Sequence, residues 1–355
     1  MADYLNTAIG ATGRGAGITI CASLLALLLT AAAALGAVIE YAEVICPVSG
    51  HGFFGMSVEG VNTLKHRDGD FLLRVEGGNH YATRVWCCPY CFFSAYPEVF
   101  KEEREIDFDP ESIEKAPLSW EAQESENAQK LIPIPVKYGN AVAYYYSIGK
   151  PPYFLGVLNL QGAWASRLEK VSLPRKAMAA WHKLYLPMLK SDVERSEEEM
   201  LERMAVKLRS KLDSAESETE AERLTLLLAS ALRQSGGHRH AVPLLKGLVS
   251  EGSSPEISRA AGDELELAQS ERHFQDEALR YFKEAVKLEE TLEEDRLQSI
   301  YLIGELSRRL GYFEQAEEWF ERAEETPMPQ RWARQLLEIQ KKKLAREMAA
   351  RPAER

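Results

Sequence analysis

The sequence predicts a mainly α-helical protein with an N-terminal transmembrane helix, a small β-rich, zinc-ribbon-like module and an α-helical, tetratricopeptide-like solenoid. Three observations predict this architecture. An uncharged run lies near the N-terminus, four of the five cysteines fall between Cys46 and Cys91, and an alanine-aromatic pattern recurs towards the C-terminus. These features divide the chain into residues 1–39, 40–100, 101–137 and 138–355.

Residues 15–39 form the predicted membrane anchor. This run has no charged side chain, and at about 1.5 Å per helical residue it crosses a hydrocarbon core about 30 Å thick. Arg14 before the run and Glu40 and Glu43 after it favour a cytoplasmic N-terminus. We therefore expect a single-pass membrane protein whose bulk lies outside the cytoplasm, in the periplasm.

Two other placements of the N-terminal run stay open. Small residues from Ala31 to Ala37 offer cleavage sites, so the run also fits a signal peptide whose removal would release a secreted protein. The orientation rests on a single arginine, and the opposite orientation would leave the bulk facing the cytoplasm.

The charge balance argues against nucleic acid as a partner. The chain has a formal net charge of −11 and a pI near 5.4. A nucleic-acid-binding face needs clustered lysine and arginine, and the one basic stretch, residues 331–346, reads as a solvated helix face. We expect protein partners and the membrane instead.

Two cysteine-containing turns predict the zinc-ribbon-like module. Cys46 opens the sequence Cys-Pro-Val-Ser-Gly-His, and Cys88 opens Cys-Pro-Tyr-Cys; each turn follows a strand-like run. A Cys-x-x-Cys turn supplies two thiolates to a tetrahedral zinc ion. Because Ser49 stands where the first turn should carry its second thiol, His51 is the candidate fourth ligand. The predicted metal ligands are Cys46, His51, Cys88 and Cys91.

Three other uses of these thiols stay open. The first alternative is a site that has lost its metal. The second is a disulfide that joins Cys46 to Cys88 or Cys91 in an oxidising compartment, and the third is a glutaredoxin-like dithiol formed by Cys88 and Cys91. A thioredoxin-type fold needs further strands after the dithiol, and the acidic segment that follows has no strand pattern. Cys87 is expected to end the preceding strand on its other face.

Three motifs follow one another in this module: CPVSG at Cys46 to Gly50, HRDGDF at His66 to Phe71, and RVWCCPYCFFSAY at Arg84 to Tyr96. In this order and spacing the segment resembles an uncharacterised bacterial family, domain of unknown function 2225. The family pattern has two CPxCG knuckles, and this chain departs from it at Ser49 and Phe92. The resemblance implies a knuckle module followed by a tetratricopeptide-like region, and it implies no known activity.

Residues 101–137 are predicted to form an acidic, loosely helical connector between two folding units. The first thirty residues of this segment are rich in glutamate and serine and poor in aliphatic side chains. From Tyr138 onwards the apolar residues recur with a helical period.

The helical region carries tetratricopeptide-like repeats, clearest over residues 222–329. Ala316 and Phe320 occupy the offsets of that repeat, and the pair recurs as Ala278 and Phe282 and, more weakly, around Ala241, with spacings of 38 and 37 residues. Small residues suit a close helix crossing and a large aromatic fills the space beside it. We therefore expect the two phenylalanines in the core and their alanines between paired helices.

The predicted function is that of a non-enzymatic scaffold. The sequence has no HExxH, GxSxG, Walker or paired-carboxylate signature. A tetratricopeptide-like array binds other proteins on its concave face, and Glu305, Arg308 and Arg309 are the predicted partner contacts on that face. A partner within a membrane-associated complex fits the anchor, and thiol-disulfide exchange at the Cys88 dithiol is the alternative function.

Overall fold

The computed structural model describes residues 38–59, 63–75, 78–102, 106–191, 196–252, 254–326 and 331–350. The predicted anchor lies outside these residues, apart from Val38 and Ile39, which belong to the first strand. Within the described parts of the chain, no helix is long and apolar enough to span a bilayer.

Within the described residues, six short strands pair into three antiparallel two-stranded ladders. In β1 and β2, Tyr41 pairs with Met56 and Ile45 with Gly52 at the end next to the first turn. The strands are β1 Val38–Ile45, β2 Gly52–Glu59, β3 Thr63–Arg67, β4 Leu73–Val75, β5 Trp86–Cys87 and β6 Ser94–Ala95.

The rest of the described chain is mainly helical, which confirms the predicted class. Short 3-10 turns cover His80–Thr83 and Pro110–Ser112. The helices are α1 Pro97–Lys101, α2 Trp120–Gln123, α3 Ala128–Leu131, α4 Ile134–Ser147, α5 Pro152–Leu168, α6 Arg175–Ser191, α7 Glu197–Leu212, α8 Glu218–Gln234, α9 His238–Glu251, α10 Pro255–Lys287, α11 Glu293–Leu310, α12 Phe313–Glu325 and α13 Arg331–Ala349.

Glycines in the left-handed region separate two of the helix pairs. Gly311, at φ 90°, ends α11 before α12, and Gly236, at φ 80°, lies between α8 and α9. The middle repeat has no such residue: after Gly262, α10 contains neither glycine nor proline and runs unbroken to Lys287. The two-helix unit expected around Ala278 is therefore replaced by one helix of 33 residues, which packs along α5.

One apolar core joins the strand-rich module to the helices. Trp86 and Phe93 of the module belong to the same buried cluster as Tyr138, Phe282 and Phe320. Both predicted phenylalanines and both of their alanines, Ala316 and Ala278, are fully buried, which confirms their expected place in the core. The connector also contributes to the interior, where Ile113, Ala116 and Ile132 pack against the second cysteine turn.

The contact between α11 and α12 leads to a prediction about stability. A β-carbon added at Gly304 would meet the Phe320 ring at 2.5 Å, whereas one at Gly262 in α10 would meet nothing within 4 Å. We expect Gly304→Ala to lower the free energy of unfolding by about 1–3 kcal/mol. The control, Gly262→Ala, is expected to raise it by up to about 1 kcal/mol through helix propensity. Urea denaturation measures both, and equal effects would contradict the close contact.

Candidate metal centre and buried charge cluster

The two cysteine turns have the same backbone geometry. In the first, the Cys46 N–H donates to the His51 carbonyl and the Cys46 carbonyl accepts from the Gly50 N–H, both at 2.9 Å. In the second, the N–H of Cys88 donates to the carbonyl of residue 93 and the Cys88 carbonyl accepts from the Phe92 N–H, again at 2.9 Å. In each turn, the backbone N–H and carbonyl of the first cysteine thus both form hydrogen bonds within the turn.

Phe92 holds the left-handed conformation that the equivalent Gly50 adopts freely, with φ 63° against 71°. This conformation is unfavourable for a side chain with a β-carbon. The phenyl ring is buried against Ile113, Ile132 and Val136, so apolar packing offsets the backbone strain. Phenylalanine in place of glycine at position 92 therefore adds apolar packing, while the backbone of the turn keeps the same shape.

The turns bring three thiols together. The sulfurs of Cys46, Cys88 and Cys91 lie within 4.8 Å of one another, and the Cys46 and Cys91 sulfurs are 3.6 Å apart. The Ser49 Oγ lies 3.6 Å from the Cys88 Sγ. Four ligands around a zinc ion with bonds of about 2.0–2.3 Å would lie about 3.3–3.8 Å apart. The cluster has the ligands and the spacing to hold a metal ion.

The thiols perturb one another electrostatically. Hydrogen bonds from Cys88 and Cys91 lower the pKa of Cys46 to about 2, and the same contacts raise the pKa of Cys88. Burial raises the pKa of Cys87 to about 12, and this thiol does not join the other three. The four cysteines that lie within the described residues are free thiols.

The predicted fourth ligand is corrected by the structure. His51 is exposed and does not join the thiol group; its ring stacks on Tyr90 with centroids 4.5 Å apart. The His51 carbonyl is already used to close the turn, and β2 begins at the next residue. Ser49, at the sequence position equivalent to Cys91, approaches the thiols instead.

A second polar site lies where the module meets the helices. The loop from Asp68 to Phe71, between β3 and β4, enters the helical region and carries two buried aspartates. We call this group of charged side chains the charge cluster. Its members are Asp68, Asp70, Arg74, Arg167, Glu198, Glu271, Glu305, Arg308, Arg309 and Lys343.

Arg167 lies at the centre of the charge cluster. Its guanidinium is fully buried and contacts the Asp70 carboxylate at 2.6 Å and the Glu271 carboxylate at 2.8 Å. Arg309 pairs in the same way with Glu305 at 2.6 Å and with Glu198 at 3.0 Å. Arg167 and Arg309 therefore each have two close carboxylates, which compensate for the burial of their charge.

The tip of the loop is in close contact with side chains of the helices. The Tyr301 hydroxyl donates to the Gly69 carbonyl at 2.7 Å, and the Gly69 N–H donates to Glu198 at 3.1 Å. A β-carbon at this position would meet the side chains of Glu305 and Gln340 at 2.6 Å. The backbone of the loop thus packs directly on α7, α11 and α13.

A family comparison covers both sites. A model of the family described as "Uncharacterized protein conserved in bacteria (DUF2225)" matches residues 39–263 and 257–348. The chain belongs to this family. The match to DUF2225 includes both cysteine turns, the Asp68 to Phe71 loop and the helices that hold it. No curated protein and no solved structure matches the chain.

Three predicted partner contacts in this DUF2225 chain are corrected. Glu305, Arg308 and Arg309 are exposed by only 0, 6 and 4%, so they do not line an open concave face. The face of α11 that carries them is covered by the loop and by α13, and their charges are paired within the charge cluster. A partner cannot reach them in this arrangement.

Sequence reasoning missed the buried partners of those residues. Asp68 and Asp70 belong to the HRDGDF motif, one of the features that carry the resemblance to DUF2225, so a signal was present. Arg167 gave a weaker one, since it is the sole charged residue of α5. A single cation in an otherwise apolar and small-residue helix indicates a buried partner of opposite charge.

The charge cluster predicts a pH-dependent stability. Burial alone would raise the pKa of Asp70, but Arg167 and Arg309 outweigh it and lower the pKa to about 2. A carboxylate whose pKa falls on folding stabilises the protein above its unfolded pKa, near 3.9, and this contribution is lost as the pH falls towards 2. Asp68 has the opposite effect on the pH dependence of stability, because burial raises its pKa to about 6.

Comparison with a variant isolates the effect of Asp70. We expect the loss of stability caused by Asp70→Asn to shrink by about 1 kcal/mol between pH 5 and pH 3, since protonation progressively makes the wild type resemble the variant. Urea denaturation at the two pH values measures it. The control is Asp107→Asn, an exposed site. A difference in unfolding free energy between the wild type and Asp70→Asn that is the same at both pH values would contradict the ion pairing of Asp70.

Proposed function

We propose that this protein is a membrane-tethered, non-enzymatic scaffold in which one structural zinc fixes a surface that binds a partner protein. The observation that carries the proposal is the set of three thiols held by two turns of matching geometry. Zinc bound there would join the β1–β2 turn to the β5–β6 turn at a buried point. The uncharged run of residues 15–39, up to the start of β1 at Val38, serves as the anchor and places the bulk in the periplasm.

The partner surface proposed here is a groove between β1 and α1. The face of α11 that carries Glu305, Arg308 and Arg309 is covered by the chain's own loop, so this face offers no open site to another protein. The groove has a volume of about 1030 Å³ and is lined by residues 42–48 with Phe100 and Ile106. Within the described residues β1 pairs on one edge only, and Ile45 is 68% exposed.

An extended segment of a partner suits this groove. An unpaired strand edge offers backbone donors and acceptors to an added strand, and apolar side chains beside it supply contact area. Glu43, Lys101 and Glu102 border the groove and offer charges of both signs for orientation. The zinc proposed at Cys46 adjoins the same groove, so it would hold the groove's wall in place.

A pair of surface variants tests the partner surface. Ile45→Asp is expected to abolish cross-linking of the full-length chain to its partner in native membranes, because it places a charge in the groove. Val206→Asp, at a 70% exposed position on α7, is the matched control and should retain cross-linking. Melting temperature and zinc content should be unchanged in both variants. Retention of every cross-link by Ile45→Asp would refute the groove.

The alternative function is thiol-disulfide exchange by Cys88 and Cys91. An attacking cysteine needs an exposed thiol with a lowered pKa. Cys88 is fully buried, which favours the structural role. Disulfide-reducing turnover that is lost in a folded Cys88→Ser variant would reverse this ranking.

A further inference from the structure

The four corners of the cluster are chemically unequal. Cys46 and Ser49 occupy the first and fourth positions of one turn, and Cys88 and Cys91 the same positions of the other. The two 3.6 Å contacts, between Cys46 and Cys91 and between Ser49 and Cys88, therefore join residues of different turns and form opposite edges of one tetrahedron. Three corners hold sulfur and one holds a hydroxyl oxygen.

The hydroxyl is a weak ligand. A zinc ligand binds strongly when it is deprotonated, and a serine hydroxyl remains neutral where a thiol ionises. Three thiolates around Zn²⁺ leave a net charge of −1, whereas a fourth would leave −2 at a site that is buried on one side. The described residues show no cation hydrogen-bonded to these sulfurs, so a neutral fourth ligand also limits the buried charge.

The weak corner lies towards solvent. Ser49 and Cys91 are half-buried, while Cys46 and Cys88 are buried. A ligand that leaves on the exposed side can be replaced by water without unfolding either turn. The site thus keeps one exchangeable position, whereas a site with four thiolates is closed.

We propose that Ser49 is the fourth ligand and that its weak, displaceable bond makes the metal exchangeable. This proposal rests on the zinc of the proposed function and adds that its occupancy follows the supply of zinc around the protein. Because the thiols adjoin the groove beside β1, loading of the metal would also set how well that groove is formed. The site takes Zn²⁺ and other thiophilic divalent ions of tetrahedral preference.

Cobalt substitution tests the assignment on the full-length protein. The Co²⁺ probe reports the number of bound thiolates through its charge-transfer absorption. We expect a three-thiolate spectrum for the wild type, an increase of about one third for Ser49→Cys, and no change for Ser49→Ala or His51→Ala, where water or Ser49 completes the site.

Zinc competition with a chelator provides the second readout. Ser49→Cys is expected to tighten zinc binding by at least about ten-fold and to slow its release, while His51→Ala leaves both unchanged. A ten-fold loss on His51→Ala with no gain on Ser49→Cys would overturn the proposal in favour of His51. Metal binding by Ser49→Cys alone would also overturn it. Absence of metal from the wild type and from every variant would refute the zinc itself.

Discussion

Arg167→Ala is expected to lower the free energy of unfolding by about 3–5 kcal/mol, one of the largest effects available to a single substitution in this chain. The substitution leaves the carboxylates of Asp70 and Glu271 buried without their shared partner. A carboxylate in that state loses its hydration and gains no compensating charge. The loop would be released from α5, although its contacts with α11 remain.

A matched control separates burial from ion pairing as such. Arg280 also contacts two carboxylates, Glu277 at 2.7 Å and Glu284 at 3.0 Å, but its side chain is 47% exposed. Arg280→Ala should therefore change stability by less than about 1 kcal/mol. Urea denaturation with an intrinsic tryptophan signal measures both variants. Similar small losses for the two arginines would mean that the charge cluster is hydrated in solution.

Cys88→Ala is expected to abolish the fold of the strand-rich module in zinc-loaded protein, because a structural zinc contributes on the order of 10 kcal/mol. The adjacent Cys87→Ala provides the control. Cys87 is equally buried, but it packs in a different cluster and stands outside the thiol group, so its loss should cost about 1–2 kcal/mol.

Two measurements distinguish the outcomes for the cysteine variants. Elemental analysis should find one zinc per chain in the wild type and in Cys87→Ala, and none in Cys88→Ala. Near-ultraviolet circular dichroism should show loss of the tryptophan signal only in Cys88→Ala, because Trp86 lies next to the second turn. Equal stability of the two variants would show that the thiols do not hold a structural metal.

Local patterns accounted for much of the fold. The thiol spacing anticipated the approach of Cys46, Cys88 and Cys91, since a Cys-x-x-Cys turn closes on its own backbone hydrogen bonds. The buried positions of Phe320 and Ala316 followed from the small-residue and aromatic offsets in one segment. The shape of each cysteine turn and the alanine-aromatic offset are local properties, whereas the contact between Cys46 and Cys91 joins residues 45 positions apart.

Properties that depend on distant residues were not predictable. Glu305, Arg308 and Arg309 have the composition of a solvated helix face, and their burial follows from a loop more than 230 residues earlier in the chain. His51 had the right chemistry for a ligand, but the backbone path out of the turn decides which side chain approaches the thiols. The unbroken α10 could have been predicted from the sequence, because its centre lacks a glycine like those that follow α8 and α11.

The Asp68 to Phe71 loop behaves as an intramolecular ligand of the helical array. Tyr301, Glu198 and Arg167 bind its carbonyl, its N–H and its carboxylate, as a groove binds a peptide. Covalent attachment gives the loop an effective concentration in about the millimolar range, so a free peptide competes poorly for the loop's binding site on the helices. A fragment that contains the helices alone would expose the helical surface on which the loop packs. Proteins captured by that fragment would occupy the place of the loop, so they would not be partners of the whole chain.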